Sequence, residues 1–177
     1  MRRRKFVELS GAMALLVFAA PPPWPLTNNV RAAEDNAIPV VVAEFDYNDT
    51  SGEVEDQRAE HAARMKAFAS LLREHLAASG RYKVLRLDCA SAICSARNIG
   101  ADDLVAAARK AAARLLVCGS IHKMSTLIEW GSVQVIDVQE GQLLLDRLFS
   151  FRGDNDEAFR RAAEFIGNTL QSIVPKS

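Results

Sequence analysis

Residues 38–45 read Ile-Pro-Val-Val-Val-Ala-Glu-Phe, a β-branched apolar run broken only by Pro39 near its start and Glu44 near its end. A strand without polar alternation is one buried on both faces, and such strands belong to parallel sheets covered by helices. An acidic turn from Asp46 to Asp56 follows. It leads into a long helix with Met65, Phe68, Ala69, Leu72 and Leu76 on one stripe, stopped by Gly80. Tyr82 to Leu87 is a second strand, so the first three elements form a β-α-β unit.

Beyond a cysteine-bearing loop, Asp102 and Asp103 open an alanine-rich helix that ends in Arg109 and Lys110, charges that match the helix dipole at both ends. Leu115 to Ile121 is a third buried strand. From there the pattern changes to longer strands without intervening helices. Leu127 to Val138 and Gln142 to Phe151 flank Gln139-Glu140-Gly141, a turn with glycine where a positive φ is wanted, and together they predict an antiparallel meander. Asp154-Asn155-Asp156-Glu157 has the acid-x-x-Glu spacing of a capping box. Phe159, Ala162, Ala163, Ile166, Leu170 and Ile173 then recur at helical intervals until Pro175 stops the helix. The expected fold is α/β (α+β), a mixed five-stranded sheet in β-α-β-α-β-β-β-α order with three helices.

The amino-terminal segment carries a different message. Arg2, Arg3, Arg4 and Lys5 form a basic region, and Gly11 to Ala20 is an uncharged apolar run, shorter than the roughly 20 residues a bilayer requires. Val30-Arg31-Ala32 places small residues where a signal peptidase reads, which predicts a signal peptide over 1–32, cleavage between Ala32 and Ala33, and a single domain over 33–177. Arg3-Arg4 followed by Lys5-Phe6-Val7 also fits a twin-arginine signal. The product expected is periplasmic, with no membrane anchor after signal removal. Residues 1–32 hold five basic residues and one acidic residue; of 22 of each sign in the whole chain, 17 basic and 21 acidic remain, a net charge of −4. Nucleic acid is an unsuitable partner for such a surface, because it is bound through basic stripes.

An oxidising compartment and three cysteines imply one pair and one leftover. Cys89 and Cys94 enclose a short loop flanked by small residues, so a disulfide joins them, while Cys118 sits inside an apolar strand as a buried thiol.

The element order, together with Ala43-Glu44-Phe45-Asp46 and the stretches LLREHLAASGRYKV (71–84), AAARLLVCGSIHKMS (111–125) and VQVIDVQEGQLLLDR (133–147), is similar to a family of small exported bacterial proteins of unknown function (DUF2380/DUF3280-like). That family resembles the amino-terminal domain of TolB and the periplasmic domain of the curli secretion protein CsgG. The resemblance spans roughly Val40 to Leu170. It implies a protein-contact module of the cell envelope with no catalytic residues to carry over.

Candidate chemistry is sparse. Counted as a calcium loop, the turn from Asp46 puts Ser51 where glycine is required and Gln57 where a bidentate Glu belongs, so a solvated turn is expected, with a small-ligand site as the minority reading. His61, His75 and His122 match no zinc spacing and read as surface histidines; pairing His61 with Met65, or His122 with Met124, would be the only copper arrangement. Ser120 has no Gly-x-Ser-x-Gly context. Trp130, beside Glu129, is either core or the anchor of a contact patch, burial being the default. No catalytic residue, cofactor or metal is implied. The expected partner is another envelope protein; the alternatives are a periplasmic small-molecule or metal-ion carrier and, third, an enzyme.

Overall fold

The computed structural model describes residues 37–91 and 93–173. The signal segment, the cleavage position and Pro175 lie outside the described residues. In chain order the elements are β1 (Ile38–Val42), β2 (Asp46–Asp49), α1 (Arg58–Ala78), β3 (Tyr82–Val84), α2 (Ala96–Ile99), α3 (Ala101–Lys110), β4 (Leu115–Lys123), β5 (Ile128–Asp137), β6 (Gln142–Arg152) and α4 (Asp156–Leu170). The strands form one mixed sheet in the order β3-β1-β4-β5-β6, with β2 also paired to β4. β3, β1, β2 and β4 are mutually parallel where they pair, and β4-β5-β6 is the antiparallel meander.

The class and meander are those expected, with six strands and four helices among the described residues instead of five and three. The added strand is the start of the acidic segment. After β1 the chain steps aside at Ala43-Glu44-Phe45 and resumes beside β4, pairing Asp46 with Ser120 and Tyr47 with Ile121. The step fits around Gly119: a Cβ there would lie 2.6 Å from the Phe45 ring and 2.1 Å from the Ser132 carbonyl oxygen. The added helix is the single turn α2, which ends at Gly100 just before α3.

Period-2 alternation divides the sheet residues between two cores. On one face Val40, Val42, Leu115, Val117, Ile121, Val133, Val135 and Phe149 pack under α1 and α4, which supply Phe68, Leu72, Leu76, Phe159 and Ile166. On the other, Val41, Leu116 and Cys118 pack under α3 through Leu104 and Ala108. Each large side chain so buried contributes about 1.5–3 kcal/mol. The helical stripe expected over 65–76 is wholly buried. Among the described residues α3 covers only the β1–β4 half of its face, and Trp130 and Leu148 on the corresponding side of β5 and β6 are exposed. No helix among the described residues is long and apolar enough to cross a membrane.

Candidate functional site

Among the described residues β2 pairs with no strand on its side away from β4. A cleft of about 720 Å³ opens there, between the first turns of α1 and the turn α2. Phe45, Tyr47, Met65 and Ile93 supply apolar lining, and Asp46, Asp49, Arg58, Lys66 and Arg97 supply charge. Backbone and side chain cooperate in building the wall: the Asp46 carboxylate accepts from the Arg97 amide at 3.1 Å, and the Arg97 guanidinium donates to the Tyr47 carbonyl at 3.2 Å. The cleft lies at the carboxyl ends of β1 and β2, where open α/β sheets hold ligands.

Behind it lies a buried polar cluster. Lys123 closes β4 with its side chain fully buried, and its ammonium donates to Glu53 at 2.6 Å, Gln57 at 2.7 Å and Asp154 at 2.6 Å, which uses all three of its protons. Desolvation pulls the Lys123 ammonium down, but the hydrogen bonds and charges of Asp154 and Glu53 outweigh it and hold it above the usual lysine range. Asp154 also meets His61 Nε2 at 2.9 Å and Arg64 at 2.5 Å. Burial raises its carboxyl, and these partners more than reverse the effect, leaving it below the ordinary aspartate value.

Glu129 is directly opposite Lys123 across β4 and β5 and is fully buried, yet neither of its oxygens has a hydrogen-bond partner. Burial first, then the charge of Asp154, pushes its carboxyl up to about 7, against the opposing influence of Lys123. The Tyr47 hydroxyl is likewise buried without a partner. Burial and then the charge of Glu129 raise its pKa. The Tyr47 ring lies 4.6 Å from that of His61, whose Nδ1 is 3.9 Å from Asp49.

Several expectations are corrected by this arrangement. His61 is not at the surface but buried against Asp154, because α1 turns it onto the same stripe as Met65. His75 is half-buried beside Gln171, and His122 bonds Thr50 at 2.7 Å on the opposite side of the sheet. Met65 is buried in the core with His61, and Met124 is exposed. Among the described residues no group of three or more metal-binding side chains converges. Asp154 does not cap the last helix; Asn155 does, accepting from the Ala158 amide at 2.9 Å, since Asp154 is drawn inward by Lys123 and His61. Trp130 is 49% exposed while Glu129 points into the core. Ser120 bonds Ser132 at 2.9 Å.

Cys89 and Cys94 are joined in a disulfide, with Cα atoms 5.6 Å apart, and Cys118 is buried and free. The Cys94 carbonyl accepts from the Glu44 amide at 2.8 Å, which seats the cysteine loop against the β1–β2 step at the cleft's edge.

A family model described as protein of unknown function (DUF2380) matches residues 39–170. No curated protein matches the chain. Among solved structures, TolB from Acinetobacter baumannii is 16% identical with a TM-score of 0.48, over 76% of this chain and 27% of that one. The chain thus spans about a quarter of TolB. A PelC dodecamer from Paraburkholderia phytofirmans is 16% identical with a TM-score of 0.49, over 76% of this chain and 86% of that one. The LpoB carboxyl-terminal domain from Salmonella enterica is 14% identical with a TM-score of 0.44, over 65% and 82%.

Proposed function

The chain belongs to the family described as protein of unknown function (DUF2380), and from that premise we propose that it is a non-catalytic protein-contact module of the bacterial envelope. One observation carries the reading: among the described residues β6 is a sheet edge, and the sheet face beside it is uncovered and exposes Ile128, Trp130 and Leu148. Among the described residues β6 pairs only with β5. Val133 and Val135 point under α1 and α4, so Ile128 and Trp130 point the other way, and Leu148, opposite Ser132, shares their face. Leu148 is 68% exposed.

An edge strand presents unpaired backbone donors and acceptors that a partner's extended segment can complete, while the neighbouring side chains select it. Exposed Asp146 and Arg147 on the same strand discourage indiscriminate pairing. The basic and apolar order of residues 2–20 supports export to the periplasm, with 1–32 removed and 33–177 retained as one domain. A disulfide fits that oxidising compartment.

The test is photo-crosslinking in intact cells from probes placed at 130 and 148, with position 105 on α3 as the control. Adducts with an envelope protein are expected at the first two and not at the third; identical patterns at all three would refute the reading. Export is checked by intact mass, which should begin at Ala33, and a full-length cytoplasmic product would overturn it.

A second reading, a small-molecule carrier, is favoured by the cleft, whose volume falls within the roughly 300–1,000 Å³ usual for ligand pockets. A metabolite that raises the melting temperature, and loses that effect on Arg97→Ala, would support it.

A further inference from the structure

We propose that Glu129 and Lys123 form a proton-operated latch on the segment 50–57, the wall of the cleft. The proposal stands apart from the docking reading of β6.

The two side chains are cross-strand neighbours on the same face of the sheet, both fully buried, and they do not bond. Each proton of Lys123 is committed elsewhere, two of them to Glu53 and Gln57 of the wall segment. Those two bonds fasten it to the interior beyond its start, which Thr50 fixes through the Lys123 carbonyl and His122; its last residues otherwise bond only at the beginning of α1, Asp56 to Arg58 and the Gln57 carbonyl to the His61 amide. Glu55, Asp56 and Gln57 then line the cleft.

Protonated, Glu129 makes no claim on the lysine. Ionised, it becomes a buried carboxylate without a hydrogen bond, among the costlier arrangements in a protein interior. The charged and titratable groups facing it are Lys123 from β4, Tyr47 and Asp49 from β2, His61 and Arg64 from α1, and Asp154 before α4. Asp154 and Asp49 add negative charge. Arg64 is already engaged by Asp154 and Asp156. Lys123 is the nearest cation in register, and turning it toward Glu129 satisfies the carboxylate at the expense of Glu53 and Gln57. The wall is therefore held at low pH and released as the acid ionises. A carboxyl titrating at about 7 places the transition near neutrality.

Hydrogen exchange of the full chain at pH 6 and pH 8, corrected for intrinsic rates, tests the latch. Protection over residues 50–57 should fall about tenfold in the parent, following the ionised fraction of Glu129, while residues 101–110 of α3 stay unchanged. Glu129→Gln, which keeps the shape of the protonated acid, should remove the pH dependence and retain the higher protection. Lys123→Met should show low protection of the segment at both pH values. An equal fall in Glu129→Gln, no fall in the parent, or a parallel fall in α3 would overturn the proposal. If Glu129→Gln does not fold, the Glu129 carboxyl carbon resonance of the parent replaces it. That resonance must titrate together with the amides of residues 50–57, and amides that shift without it refute the latch.

Discussion

The Tyr82 hydroxyl donates to the Leu170 carbonyl oxygen at 2.5 Å, joining the edge strand β3 to the last turn of α4 across 88 residues. The same hydroxyl lies 3.2 Å from the Ile173 carbonyl, so it adds to the Ile173 amide and the Arg81 guanidinium, which already donate to these two carbonyls, in tying down the end of α4. Tyr82→Phe keeps the ring and removes that donor. Because both carbonyls keep another donor, a loss of about 0.5–1.5 kcal/mol is expected, read as a lower urea midpoint at unchanged m-value.

Gly131 is where β5 makes room for the Phe149 ring of β6: a Cβ would fall 2.0 Å from Phe149 Cζ. Gly131→Ala should therefore destabilise by about 1–3 kcal/mol through overpacking. Combined with Phe149→Leu, the loss should be smaller than the sum of the single losses, because the second change removes the atoms that clash. A double-mutant cycle by denaturation measures the coupling, and strict additivity would refute it.

Stability should decline as pH rises, by an amount Glu129 accounts for. Its carboxyl sits at about 7 in the folded protein against 4.5 for a free glutamate. The folded state thus holds a proton that the unfolded state releases, so the contribution of Glu129 is full below about pH 4.5 and is lost as pH rises to about 7, by about 3 kcal/mol. Urea titrations of the parent and Glu129→Gln at several pH values should show the slope in the parent only.

Lys123→Met leaves Glu53 and Asp154 facing each other without their shared cation. Breaking such a buried arrangement costs about 3–5 kcal/mol, more than any exposed pair on this surface, such as Arg86 with Asp88. Thermal unfolding of the two single variants, Lys123→Met and Arg86→Met, makes the comparison.

Denatured, unreduced protein should show one free thiol, that of Cys118. In the native protein the same thiol should react slowly, since burial, then the negative charge of Asp46, pushes it up to about 11. A count of three thiols would disprove the Cys89–Cys94 bond in solution.

Much of the architecture is local, and local signals carry it. The doubly buried run at 38–45, the stripe at 65–76 and the change to helix-free strands after residue 115 each depend on periodicity within a few turns or one strand. Those readings needed no knowledge of what lies opposite. Asp46–Asp49 escaped them: a polar tetrapeptide with one tyrosine becomes a strand only because β4 extends past β1 and offers four more pairing positions.

The polar cluster is a matter of tertiary structure. In Ile128-Glu129-Trp130, hydrophobicity alone sends the indole inward and the carboxylate outward, yet the reverse holds. The phase of β5 is set further along, where Val133 and Val135 must face α1 and α4, and a one-residue slip would expose them both. Counting back from Val133 by twos through Gly131 reaches Glu129, as counting forward from Ile121 reaches Lys123. Had the alternation been followed to the strand ends, both buried charges were there to find. By itself the sequence determined the elements other than β2 and α2, the sheet class and the spacing of the cysteines, because those follow from short-range geometry. Only the packed sheet decided that Lys123, Asp154 and His61 share one interior site, because burial is assigned to a whole strand face at once, and polar residues at its ends are carried inward with the apolar ones.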